Sequence, residues 1–364
     1  MQELNKDKII NKALTLNELN AEQGEYLYLN SSLSELIFVA NEIRKKLHPN
    51  KIVSYIIDRN INLSNICVSN CLFCNFCRTK KSKEAYILSM DEYKQKIDEL
   101  YLLGGKQIML QGGIHPDFNI DFNITLFKKL KRNYPDLKLH ALGPAEIVFI
   151  AKNSDLSIQK TLEKLINAGL DSLPGAGAEI LSDRVRKIVS PVKCSTDEWL
   201  EVMKTAHQLN LTTSATMMFG HLETLKERIE HLIKIREVQT IKPKNTTGFV
   251  SFTLWSLAGE NTRLLRKYNT IKPVNTTEFI KMLAISRIML PNIPNIQTSW
   301  LTMGSEIAKI CLNAGANDMS SIMIEENVVS QAGKNNQITE SEMIKTIENA
   351  GFTAKRRDQE YNYI

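Results

Sequence analysis

Apolar and polar positions along the chain follow two periods. Short stretches alternate with period two, and the longer segments between them carry apolar residues at helical spacing. The strand-like stretches are 60–66, 107–111, 137–142, 170–174, 212–219, 248–254, 296–301 and 320–324. Helix starts are marked by Ser or Thr followed three residues on by Glu, as at Ser32/Glu35, Ser89/Glu92, Ser195/Glu198 and Thr224/Glu227. The first of these opens a stripe of Leu36, Ile37, Val39, Ala40 and Ile43 that Pro49 stops, and Gly104-Gly105 closes the second. Trp199, Val202, Met203 and Ala206 form a third apolar face, and Leu225, Ile229, Leu232 and Ile233 a fourth. Eight strands alternating with helices predict a (β/α)8 barrel of the TIM type. Residues 1–50 read as a helical extension packed on one end, and 51–364 as the barrel with a C-terminal helix and tail. The longest irregular piece, 255–275, follows a strand's C-terminal end and is placed where a lid would be.

Composition adds little to this picture but excludes several classes. The chain has 364 residues, with 46 basic and 40 acidic side chains largely interleaved, so a net charge of +6 describes a solvated surface and not a nucleic-acid face. No apolar run has the length of a membrane span, and the N-terminus has no signal-peptide core. Six cysteines, three of them on one loop, suit a metal site in a reducing compartment and not a disulfide framework. The expectation is a cytoplasmic protein that binds neither membrane nor nucleic acid.

That loop, CVSNCLFC, spaces Cys67, Cys71 and Cys74 as Cys-x3-Cys-x2-Cys behind the strand-like run SYIIDRNINLSNI. Three thiolates can hold three corners of a four-iron cluster and leave one iron open to a ligand. Zinc is the alternative, with Cys77 as a fourth sulfur, but no second Cys-x2-Cys pair follows. Cys194 and Cys311 lie in apolar-leaning segments and read as buried thiols. In a barrel, chemistry gathers where strands end. The candidates there are Gln111, Gly112 and Gly113 after the second strand, His140 and Glu146 after the third, and Glu179 beyond the glycines of the fourth. Arg184 and Arg186 follow, and either could meet a carboxylate or simply pair on the surface. His221 and Glu223 stand together at the mouth of the fifth strand, close enough for an acid–base pair. Trp255, Thr298, Trp300, Asn317-Asp318 and Glu325-Glu326 complete the rim.

The cysteine loop resembles that of the radical S-adenosylmethionine (SAM) superfamily, with Phe73 at the aromatic position before the third cysteine. The resemblance implies a [4Fe-4S] cluster on Cys67, Cys71 and Cys74, and SAM as the ligand of the open iron. It also implies cofactor contacts from Phe73, from Gln111-Gly112-Gly113 (where the superfamily usually shows Gly-Gly-Glu), from His140 and from Glu179. Longer strings, among them LQGGIHPDF, HALGPAEI, GAGAEILSDRVRKIVSPVKC, TMMFGHLET, TSWLTMG and GANDMSSIMIEENVVSQAG, are similar to the cyclases of the futalosine route to menaquinone. The sister families are aminofutalosine synthase and the radical SAM subunit of the deazaflavin-precursor (FO) synthase. Cys77 departs from the tyrosine or serine expected there. For the cyclase branch the implied substrate is dehypoxanthine futalosine. A deoxyadenosyl radical removes the ribose 4′ hydrogen, the sugar radical adds to the benzoate ring, and loss of an electron and a proton restores aromaticity. An electron donor such as flavodoxin or ferredoxin is implied as partner. From their positions, His221 or Glu223 is expected to take that proton, Arg184 to anchor the benzoate carboxylate, and Trp255, Asn317 and Glu325 to contact substrate.

Overall fold

The computed structural model describes residues 4–259, 262–328, 330–333 and 336–364. Ten strands form one sheet in which every pairing is parallel: β1 (Ile52–Ile56), β2 (Asp58–Asn62), β3 (Gln107–Gln111), β4 (Lys138–Ala141), β5 (Ser172–Leu173), β6 (Thr212–Phe219), β7 (Phe249–Ser256), β8 (Asn295–Gln297), β9 (Asp318–Ser321) and β10 (Thr353–Arg356). β1 and β2 are two halves of one extended run interrupted at Ile57. The first half pairs with β9 through Ser54 and Ile56, and the second pairs with β3 from Asp58/Gln107 to Asn62/Gln111. This one run therefore joins the two ends of the sheet, and the strands close into the expected (β/α)8 barrel. Helices follow the strands, burying apolar faces whose spacing was visible in sequence; Trp199, Leu232 and Phe279 are fully buried.

The N-terminal helices Ala21–Asn30 and Leu33–Leu47 pack on the barrel helices Leu225–Thr240 and Thr276–Met289, and Lys6–Leu14 packs on those two N-terminal helices. Gly24 shows how close that approach is, since a Cβ there would lie 2.8 Å from Met289 Sδ. All four Ser/Thr–Glu pairs form reciprocal caps as expected.

Four parts of the sequence reading need correction. The stretch 296–301 is a strand only to Gln297; the chain then turns into the short helix Trp300–Met303, which lets the Trp300 indole donate to Ser321 O at 2.9 Å. His140 does not stand at the rim but faces the barrel interior from within β4, paired in register with Met109 and Ser172. The strand β10 has no apolar alternation to betray it, because it is an exposed edge beside β1. Residues 263–267 of the expected lid are helical, and 260 and 261 lie outside the described residues.

After β10 the chain enters the barrel's N-terminal end. Arg357 and Asp318, 1% and 0% exposed, pair through contacts of 2.6 and 3.0 Å, and Ser54 Oγ donates to the same carboxylate at 2.6 Å. The Arg357 guanidinium lies 3.9 Å from the Tyr361 ring centre, and Gln297 donates to Tyr361 Oη at 3.0 Å. Removing one partner of such a pair strands a buried charge. Asp318→Ala is expected to cost about 3–5 kcal/mol, measured as a fall in denaturant midpoint at unchanged m-value.

Candidate active site

The cysteine loop is pinned from both sides by backbone. Cys67 N donates to Arg78 O (3.1 Å), Val68 N to Ile114 O (3.0 Å) and Leu72 N to Val189 O (2.8 Å). From the helix Arg263–Lys267, Leu264 N donates to Leu72 O at 2.8 Å, and Arg263 Nη2 reaches Asn70 O and Cys71 O at 3.1 and 3.0 Å. Cys67 Sγ accepts from the amides of Ser69 and Ile114 at 3.4 and 3.3 Å. The neighbouring Cys77 thiol and these amides hold the Cys67 thiol below its ordinary value. Burial pushes Cys71 up to about 12, against the pull of Lys193.

All four loop cysteines face one cavity, shared with Asn60, Asn62, Phe73, Gln111, Gly112, Gly113, Glu146 and Lys193. Among the described residues no three His, Cys, Asp or Glu side chains converge on a single ion as a zinc site requires. The fit to a larger group is better. Asn60 Oδ1 and Ser69 Oγ are buried on this wall with no hydrogen-bond partner among the described residues. Two glycines keep the wall thin: a Cβ on Gly113 would lie 2.2 Å from Ile66 O, and one on Gly112 3.0 Å from Ser64 O. Donor set, orphaned polar atoms and glycine wall together suit a sulfur-ligated cluster carrying an amino-acid-bearing ligand. Gly113→Ala is expected to displace the cysteine loop and leave less than a tenth of the iron bound per chain after anaerobic reconstitution, measured by iron and sulfide analysis.

The cysteine cavity opens into a second one, of about 310 Å³, that fills the barrel. Phe73, Gln111, Ala176, Gly177 and Val328 border both. Its walls are the inward rows of adjacent strands, with Ser214, Thr216 and Met218 of β6 in register with Ser251, Thr253 and Trp255 of β7. Glu179, at the junction, is 6% exposed and holds a left-handed φ of 41°, costly for a non-glycine residue. It accepts from Lys193 Nζ at 2.7 Å and lies 3.5 Å from Arg186 Nη1. Burial alone would raise the Glu179 carboxyl, but these cations outweigh it and hold it below its usual range. Burial opposes charge on Lys193 as well, yet Cys71 and Glu179 raise its pKa, so it stays an ammonium, 5.5 Å above the Phe73 ring.

Phe73, Gln111, Gly112, Gly113, His140, Glu179 and Trp255 thus line the joined cavities, as do the three cysteines. Five other expected residues lie elsewhere. Arg184 is exposed and engaged with Glu227 at 2.6 and 2.8 Å. Asn317 is buried outside the cavity, bonded to Arg287 and Asn295 at 2.7 and 2.8 Å. Glu325 joins Arg59 and Lys96 beside a separate surface pocket. His221 and Glu223 do form a pair, Nδ1 to Oε2 3.1 Å, but both side chains are fully buried and Glu223 also accepts from Arg228 and the Gly220 amide. They brace the turn after β6 and do not line the chamber. Lys193, Asp58, Gln297, Arg357 and Gln359 were missed. The period-two polar positions within the β6 and β7 segments were the available sign of a polar barrel interior; nothing local marked the tail.

His140 Nδ1 is 2.7 Å from Ser172 Oγ, and burial, reinforced by Arg357, lowers its pKa to about 3. His207 and His231 are buried and lowered to about 4 and 3 by the same desolvation. A histidine whose folded pKa is depressed gives stability that is present above its unfolded value of 6.5 and is lost as pH falls. The apoprotein is therefore expected to lose stability between pH 6.5 and 4, and His140→Asn to reduce that slope by about one proton, measured by denaturant titration at several pH values.

Comparison with known proteins agrees with this arrangement. Residues 61–235 match the radical SAM superfamily and residues 246–364 the CofH/MqnC C-terminal region. The chain is 37% identical to the cyclic dehypoxanthine futalosine synthase of Halalkalibacterium halodurans, over 98% of this chain and 95% of that one. It is also 37% identical to an enzyme of the same name from Streptomyces coelicolor (98% and 88% covered). A third relative, at 37% over 91% and 94%, is the 5-amino-6-(D-ribitylamino)uracil–L-tyrosine 4-hydroxyphenyl transferase of Archaeoglobus fulgidus. Among solved structures the fold is similar to methylornithine synthase (TM-score 0.73, 18% identity, 96% and 98% covered). It is similar too to the [FeFe]-hydrogenase maturase HydG of Carboxydothermus hydrogenoformans (0.75, 17%, 98% and 80%). The chain belongs to the radical SAM superfamily, in the branch defined by the CofH/MqnC C-terminal region.

Proposed function

We propose that this enzyme cyclises dehypoxanthine futalosine, a step of menaquinone biosynthesis, with a [4Fe-4S] cluster and SAM, in the cytoplasm. The observation that carries the reading is end-to-end similarity to enzymes of that activity, from the N-terminal helices to the tail. When bound, the cluster and SAM supply a 5′-deoxyadenosyl radical, the species that takes the ribose 4′ hydrogen and so lets the sugar carbon close onto the benzoate ring.

The chain's own residues do the rest. Cys67, Cys71 and Cys74 would hold three irons of the cluster. Gly112 and Gly113 let backbone approach the amino-acid end of SAM, Phe73 offers a face to its adenine, and Glu179 offers two oxygens to its ribose hydroxyls. Lys193, ammonium-charged and between Glu179 and the cysteines, is the cation available to the SAM carboxylate. Trp255 and Met218 stand across from this junction and shield the reacting carbon from water. An external one-electron carrier of the flavodoxin or ferredoxin type would supply the electron for each cleavage of SAM.

The Archaeoglobus fulgidus tyrosine transferase supports a second reading, because its identity to this chain equals that of the Halalkalibacterium halodurans enzyme. Anaerobic turnover of the reconstituted, reduced enzyme separates the two. With SAM and dehypoxanthine futalosine, mass spectrometry is expected to show deoxyadenosine and a product lighter by two hydrogens. A product only from 5-amino-6-(D-ribitylamino)uracil and tyrosine would transfer the assignment to the second reading. No deoxyadenosine with any of these substrates, from protein with a full cluster, would end the catalytic reading.

A further inference from the structure

The barrel chamber has a floor that no strand–helix loop supplies. It is made by the last residues of the chain. Arg357 and Gln359 both line the chamber, beneath Asp58, His140, Ser251 and Gln297. The tail is seated firmly. Arg357 pairs with Asp318 and donates to Asp358 O at 2.9 Å, Tyr361 accepts from Gln297, and Asp358 Oδ1 accepts from the amides of Glu360 and Asn362, each at 2.9 Å. Gln359 Oε1 accepts from Gln107 Nε2 at 3.1 Å, which orients the side-chain amide. Its NH₂ group has no partner among the described residues and belongs to a residue of the chamber wall.

We propose that the C-terminal tail is part of the substrate site, and that the Gln359 amide donates a hydrogen bond to the uncharged, hydroxyl-bearing end of the substrate. The inference rests on the chamber being the substrate site of the proposed cyclase, and it orients the substrate within it. The floor's charges are already used: Arg357 is neutralised by Asp318. Burial raises the Asp58 carboxyl toward its neutral form despite bonds from Ser321 and Gln107, and the same desolvation keeps His140 uncharged. A carboxylate pushed onto this floor would find no free cation and would lie near Asp58 and Asp318. Hydroxyls find amide, imidazole and hydroxyl partners instead. The sugar end therefore goes down, and the benzoate carboxylate stays toward the mouth, away from the floor's carboxylates.

The test is calorimetric binding of dehypoxanthine futalosine to the reconstituted enzyme and to two tail variants, with melting temperature and SAM affinity followed in parallel. Gln359→Leu keeps the volume and removes the amide. Its substrate Kd is expected to rise about tenfold, the size expected for one lost hydrogen bond to a neutral group in a closed site, while SAM affinity is unchanged. Asn362→Ala removes a bond to Asp358 that seats the tail on its exposed side, away from the chamber, and its substrate Kd is expected to stay within about twofold of the parent. A Gln359→Leu enzyme that bound substrate as the parent does would overturn the proposal. So would equal weakening by both variants, since the effect would then come from loosening the tail and not from the amide. A parent enzyme that answers to SAM but binds no dehypoxanthine futalosine would instead refute the assigned substrate, a result distinct from either.

Discussion

The architecture depends on one extended run that serves both ends of the sheet at once. Residues 52–56 pair with β9 and β10, residues 58–62 pair with β3, and the interruption at Ile57 lets the chain do both. Had the run stayed on one side, the sheet would be open, its strand edges unpaired and its interior wet. Closure has two further consequences. It aims the end of the run at the mouth, so that Cys67 emerges beside the glycine turn of β3, where Ile114 N donates to its sulfur. It also leaves room beside β1 for β10, which delivers the tail to the opposite end.

Between mouth and floor the electrostatics divide cleanly. At the mouth, Glu179, Lys193 and Arg186 form a network in which buried charges remain because each has a partner. At the floor, the ionisable groups are either paired with each other or held neutral by desolvation. A barrel of one fold thus offers a charged end suited to the ionic parts of a cofactor and substrate, and a neutral end suited to hydroxyls. The inward rows of Ser, Thr and Met line the passage between them.

Much of this was legible in the chain and some was not, for identifiable reasons. Strands β3 and β6 were read to the residue, because each alternates or runs apolar between clear turn signals. The cysteine spacing and the glycine pair are local motifs, and both face the cavity. Position relative to a strand end was a weaker guide. Arg184 and Glu325 do follow strand ends, yet helix and loop geometry turns them toward Glu227 and toward Arg59 and Lys96. His221 and Glu223 are adjacent as expected, but Arg228, four helical residues away from the cap, draws Glu223 inward. Lys193 and Gln359 reach the site only through the folding back of distant segments, a relation that no local pattern encodes.

The account's central claim is that the loop of Cys67, Cys71 and Cys74 holds a cluster with one iron open to SAM, at the mouth of the barrel. Electron paramagnetic resonance of the anaerobically reconstituted, reduced protein, with and without SAM, tests it most directly. The account predicts a reduced [4Fe-4S] signal whose g-values shift when SAM is added and do not shift with methionine-free adenosine. A reconstituted protein that holds a single zinc, or a cluster whose spectrum ignores SAM, would contradict it.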